Sequence, residues 1–215
     1  MKDLLIKDWK LALHPTVPLF WLLSAMLLIP NYPYYVVLFY NLLGIFFICL
    51  TGRENSDLYY TLTLPIRKRD LVRSRVLFSV LLQLVQLAVC VPFAVLRQSF
   101  PMPGNSVGMD AGLGFFAFAF LLLGVYNFTF FPAYYRAPDK VGKVFAFASV
   151  GFFALILLAE AAAHAVPFVR DVLDTADSLY INEKLCALAV GVAAYAGMSL
   201  AACRRAERVF DKIDL

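Results

Sequence analysis

Charge is what this chain has least of: Asp, Glu, Lys and Arg together make up 16% of its residues, while 62% are hydrophobic. Soluble domains run nearer about 25% charged and roughly 45–50% apolar, so most of this surface calls for lipid as its solvent. Motifs for covalent chemistry are missing too. No GxxxxGK[ST] loop exists, because Gly142-Lys143 is followed by Val144 and lacks the upstream glycine; the chain cannot hydrolyse ATP alone. The absence of HExxH, GxSxG and CxxC leaves metalloprotease, serine-hydrolase and thiol-redox chemistry without motif support. Cys49, Cys90, Cys186 and Cys203 all fall within or at the end of apolar segments, without the pairwise spacing of a metal site, and read as packing residues. Residues 1–13 carry three lysines and two aspartates instead of a basic head leading into an apolar run, so no cleavable leader is expected.

What is present is a series of apolar runs, at about residues 17–30, 34–51, 76–96, 110–131, 144–166 and 185–203. Each is close to the roughly 20 residues a helix needs to cross a bilayer, although the first is short. Pro30-Asn31-Tyr32-Pro33 cannot sit inside a helix and marks a tight turn after the first run. Six spans use most of the 215 residues, so the expectation is an all-α membrane protein of six transmembrane helices in one domain, 1–215. Basic residues near span ends are retained in the cytoplasm. With the N-terminus inside, sixteen of the nineteen lysines and arginines fall on inner segments, and only Arg97, Arg170 and Lys184 fall outside. That alternation predicts cytoplasmic termini in a bacterial cytoplasmic membrane.

Residues 2–13 form an amphipathic pattern at 100° per residue, with Leu5, Ile6, Trp9 and Leu13 on one side and Asp3, Lys7 and Lys10 opposite. An N-terminal interfacial helix follows from it. In the sixth run the pairs Ala187/Gly191, Ala193/Gly197 and Gly197/Ala201 are spaced by four and mark close-packing faces. Asn41, Gln83, Gln86, Asn127, Glu160 and His164 are the costly polar residues within spans and are the candidates for a translocation path. Gln83 and Gln86 also suit interhelical links. Glu160 and His164, at i and i+4, could meet a cationic substrate or share a proton, or could bond locally and pin the helix.

The most informative polar stretch is the first inner loop, Arg53 to Asp70. It reads as a short polar helix with Tyr59, Tyr60 and leucines able to dock on a partner, a stop near Pro65, then a basic patch. An acidic and aromatic start, then Leu64-Pro65-Ile66-Arg67-Lys68-Arg69-Asp70-Leu71-Val72, resembles ABC-2 type permease subunits, and most of all small six-span permeases of the phenol-soluble-modulin exporter group. The Lys7-Asp8-Trp9-Lys10 start and the Glu207–Leu215 tail agree with it. The resemblance implies that Glu54, Asn55, Ser56, Asp57, Leu58, Tyr59 and Tyr60 form a coupling helix that inserts into a cleft of an ATP-binding cassette subunit. It also implies ATP and Mg at that partner with no cofactor on this chain, a second permease that is either another copy of this chain or a homologue, and a short helix between the fifth and sixth spans. Within Pro167–Glu183 the spacing groups Val169, Leu173 and Tyr180.

The function expected is therefore export of amphipathic or antimicrobial peptides, driven by ATP hydrolysis elsewhere, with no enzyme activity in this chain and no nucleic-acid partner. Two alternatives are a proton-coupled carrier using Glu160 and His164, and a non-transporting immunity protein.

Overall fold

A computed structural model describes residues 2–100 and 104–213, and these residues form helices and loops with no strand among them. The N-terminal helix α1 (Lys2–Lys7) runs on through a π-helical turn at Asp8–Ala12. After a turn at Leu13–Pro15 come α2 (Thr16–Leu22) and a tighter 3-10 segment at Leu23–Leu28, and Thr16–Leu28 as a whole is bent by 84° from Asp3–Ala12. The long helices are α3 (Val36–Glu54), α5 (Lys68–Ser99), α6 (Leu113–Arg136), α7 (Val141–Ala165) and α8 (Ile181–Phe210), with the short α4 (Asp57–Leu62) between α3 and α5.

Five of these helices are long and apolar enough to cross a membrane, and the bent pair makes up to six. At standard rises Thr16–Leu28 is only about 22 Å long, short of the roughly 30 Å hydrocarbon core. It nevertheless changes ends of the bundle. His14 stacks on Phe47 in the second half of α3, whereas Asn31 Oδ1 accepts the Ser106 N–H and hydroxyl at 3.1 and 2.8 Å in the loop that precedes α6. Both ends of the described chain meet at the start of α5: Arg75 pairs with Asp8 at 3.1 Å, and Arg69 with Asp211 at 2.8 Å. The two terminal segments thus share one end of the bundle, called here the basic end.

α5 and α8 run further toward the basic end than the apolar runs 76–96 and 185–203 indicate, starting at Lys68 and finishing at Phe210. Hydropathy registers only lipid-soluble turns. The charged extensions stay helical because each answers the other: Arg73 donates twice to Glu207, at 2.8 and 3.2 Å, and Lys68 Nζ donates to the Ile213 carbonyl at 2.6 Å.

α6 and α8 form the tightest seam. A side chain at Gly191 would collide with the Ala117 backbone carbonyl, and one at Gly124 with Tyr195 and Met198. The Ala187/Gly191 face of α8 therefore packs within the chain. The Gly197 face is open, with no atom within 4 Å of where a Cβ would stand. Phe115 is fully buried and stacks on Tyr35 at 4.8 Å, while Phe116, Phe118 and Phe120 are partly buried.

The loop before α8 corrects one expectation. Val169 and Leu173 are buried on a five-residue π-helical turn, but Tyr180 is exposed and left-handed, with φ 53°. The turn stops there because the residues that follow are drawn to other backbone: Asp174 accepts the Asp110 N–H at 2.7 Å and Asp177 the Leu113 N–H at 3.0 Å.

Candidate functional site

The inner-loop segment singled out by sequence lies at the basic end and folds in three pieces. Glu54 closes α3 rather than opening a new helix. Asn55 and Ser56 make the turn, with Ser56 left-handed at φ 51°, and α4 begins only at Asp57. The helix expected over Glu54–Tyr60 is therefore displaced to Asp57–Leu62. The displacement follows from Ser56: a residue in that conformation ends one helix and re-aims the chain before the next. Leu64 precedes Pro65, which disfavours further helix, and the chain passes through an extended Arg67 into α5.

Packing divides α4 into two sides. Leu58 and Thr61, at i and i+3, are buried, whereas Tyr59 and Tyr60 are 46% and 66% exposed. Asp57 locks the buried side in place. Its Oδ1 accepts from Lys7 Nζ at 2.7 Å, and its Oδ2 from Arg75 at 2.6 Å. Lys7 also donates to Thr61 Oγ1 at 2.8 Å, and Asp8 takes Arg75 at 3.1 Å and the Ser74 hydroxyl at 3.0 Å. One buried guanidinium thus ties α4, the N-terminal helix and the base of α5 together. Burial would raise the Asp57 carboxyl, but Arg75 and Lys7 outweigh it and hold it below the ordinary carboxylate range. Its pairing is then intact at all pH values above that range. A cavity of about 290 Å³ opens beside α4, bounded by Lys7, Leu11, Gly52, Asn55, Asp57 and Tyr60.

Lys7, Asp8, Ser74 and Arg75 escaped the sequence-based selection of site residues. For Arg75 a signal existed, since it falls on the apolar stripe of α5 with Leu71, Phe78, Ser79 and Leu82, all buried. A cation on such a stripe needs a partner.

The six polar residues within the spans are not gathered in one place. Gln83 and Asn127 form a reciprocal amide pair at 2.8 and 2.9 Å, completed by Tyr195 Oη donating to Gln83 at 2.7 Å and by Asn127 donating to Ser199 at 3.0 Å. Gln86 donates to Ser24 at 2.8 Å, and Asn41 donates to the Leu82 carbonyl at 3.0 Å. These four side chains bridge helices in the bundle interior. Glu160 and His164 sit at the far end, where each holds the loop before α6: Glu160 Oε2 accepts the Met109 N–H at 3.0 Å, and His164 Nε2 lies 3.3 Å from the Val107 carbonyl. Among the described residues no hydrogen bond or ion pair joins Glu160 to His164.

Residues 3–202 match the family described as ABC-2 family transporter protein. The chain belongs to that family. It is accordingly a multi-pass membrane protein and the permease component of an ABC transporter, a transport component rather than a catalyst. The ABC-2 assignment implies an ATP-binding cassette partner and a membrane setting. No curated protein and no solved structure matches the chain.

Proposed function

We propose that this ABC-2 permease takes up the force of ATP hydrolysis through α4 and exports amphipathic peptides. ATP and Mg would bind and react in the separate cassette subunit, and a second permease copy would complete the pathway. The observation that carries the reading is the two-sidedness of α4: Asp57, Leu58 and Thr61 anchor it to the bundle, while the Tyr59 and Tyr60 side chains stand outward and make no hydrogen bond or ring contact among the described residues. A lever between two proteins needs both properties. Push on the tyrosines and the load passes through Asp57 and Arg75 to α5 and the N-terminal helix.

The orientation in this reading has the basic end in the cytoplasm, supported by the sixteen basic residues on that side. Glu160 and His164 then belong to an outer gate over loop 104–112. The buried amides Asn41, Gln83, Gln86 and Asn127 keep helices in register as the gate moves. Acidic residues Asp171, Asp174, Asp177 and Glu183 in and beside the far-end loop favour cationic cargo.

Buried aromatic anchors cost roughly 2 kcal/mol or more on truncation, about thirtyfold in affinity. The Tyr59→Ala/Tyr60→Ala double variant is expected to insert normally yet to lose its cassette subunit on purification, or to leave that subunit's ATPase activity indifferent to peptide in nanodiscs. Parental copurification and peptide-stimulated hydrolysis in that variant would remove α4 from the coupling role.

A further inference from the structure

At the basic end, every cation at the start of α5 has an internal answer. Lys68 meets the Ile213 carbonyl, Arg69 meets Asp211, Arg73 meets Glu207, and Arg75 meets Asp8 and Asp57. Glu207 in the last turn of α8 and Asp211 just past its end thus turn their carboxylates to α5. On the same turns Arg204, Arg205 and Arg208 are all exposed. Among the described residues no carboxylate lies within 4 Å of any of the three. The Arg205 guanidinium lies 4.6 Å over the Phe128 ring, which fixes its position while leaving its in-plane N–H groups free to donate.

These arginines continue a stripe. Gly197, Ala201, Arg204, Arg205 and Arg208 fall at i, i+4, i+7, i+8 and i+11, one face of a helix, and with Leu200 they line a shallow cavity of about 340 Å³. Its upper half is small and apolar, with nothing near the missing Gly197 side chain. Its lower half is three exposed cations with no carboxylate within 4 Å among the described residues. We propose that this stripe binds an anionic phospholipid of the inner leaflet, with the phosphate on Arg204, Arg205 and Arg208 and an acyl chain in the notch at Gly197.

Charge complementarity selects this occupant. Guanidinium groups grip phosphate oxygens in pairs, and basic clusters at the cytoplasmic ends of spans take anionic headgroups. A smooth apolar groove directly above the cluster adds a place for the tail, which a free phosphate would not use. The leaflet named rests on the orientation proposed above, but binding itself does not depend on it.

The test is native mass spectrometry of the purified permease in detergent, titrated separately with phosphatidylglycerol, phosphatidylcholine and inorganic phosphate. Three cations favour phosphatidylglycerol over phosphatidylcholine on the order of a hundredfold. Arg204→Gln/Arg208→Gln is expected to weaken phosphatidylglycerol binding roughly thirtyfold, while Arg53→Gln, at an exposed cation elsewhere on the same end, leaves it unchanged. The Cβ of Gly197→Leu meets no neighbouring atom within 4 Å, so the variant is expected to keep the fold and to weaken lipid binding while sparing the arginines. Equal retention of both lipids, or undiminished binding in the arginine variant, overturns the proposal. So does displacement by millimolar phosphate with no effect of Gly197→Leu, which would make this a simple anion site. Disulfide-linked dimers formed by Gly197→Cys would give the stripe to a second copy of the chain instead. Failure of the orientation would appear separately, in the thiol labelling described below.

Discussion

A Cβ at Gly108 would stand where the Glu160 carboxylate lies, so any side chain there must push that carboxylate aside. The carboxylate is drawn there by the Met109 N–H, so the glycine and the acid form one device for holding the loop before α6. Gly108→Ala is expected to expel the carboxylate and leave a buried N–H unmet, at a cost of about 1–3 kcal/mol. A lowered Tm in detergent checks this, and a parental Tm would show that the loop has room to yield. Asp174 holds the same loop by a second route, through the Asp110 N–H. Burial raises its carboxyl to about 6 from an ordinary 3.8; the Asp110 N–H pulls it back and the charge of Asp110 adds to the rise. The folded protein thus keeps a proton that the unfolded chain loses. Stability from this group is greatest below 3.8, declines as pH rises to about 6, and is level above. Asp174→Asn keeps an acceptor and removes the charge. It is expected to raise Tm at neutral pH and to flatten the profile between about pH 4 and 7; a variant with the parent's slope in that window would place the titration elsewhere.

Among the elements, α8 has two small-residue faces with different fates. Gly191 abuts the Ala117 carbonyl and Gly197 abuts nothing. Since a backbone atom cannot step aside, Gly191→Leu must part α6 from α8, and unfolding in detergent is expected to come earlier by the roughly 1–3 kcal/mol of an overpacked core. Gly197→Leu is expected to unfold like the parent. Equal effects of the two would mean that the seam is not where stability resides. Sequence spacing alone marked both faces as packing surfaces, because small residues at i and i+4 look alike whether a neighbour is present or not. The same limit explains the other misses. Apolar runs located the cores of α3, α6 and α7 well, since lipid-soluble turns are what hydropathy registers. The extra turns of α5 and α8 were hidden because their charges are neutralised by residues about 140 positions away, as in Arg69 with Asp211. α4 was legible as a short helix bearing outward tyrosines, but its start was not, since nothing in Asn55-Ser56 announces a left-handed serine. The Lys7–Asp57–Arg75 clamp needed three distant segments to meet.

For the molecule as a whole, everything proposed about coupling and lipid depends on which end faces the cytoplasm, and geometry alone leaves the two ends physically distinct. The basic end gathers Lys7, Lys68, Arg69, Arg73, Arg75 and the α8 arginines. At the far end, by contrast, loops 29–35, 104–112 and 166–180 are knitted together by Asn31, Asp174 and Asp177 through backbone hydrogen bonds. Moving that many cations across a bilayer is opposed both by their desolvation and, in an energised cell, by a potential that is negative inside, about 2.3 kcal/mol per charge per 100 mV. The far end carries few cations, and Arg97 and Lys184 there lie against Asp110 and Asp177 at 3.5 and 3.4 Å, which makes it the end fit to cross during insertion. Ser106 and Asn55 mark the two ends, and both are exposed. In intact cells an impermeant thiol reagent is expected to modify Ser106→Cys and to spare Asn55→Cys until the membrane is opened, read against the parent, whose own Cys186 is exposed near the far end. The reverse pattern would put α4 outside, beyond reach of any cytoplasmic ATPase, and would end its assignment as the coupling element.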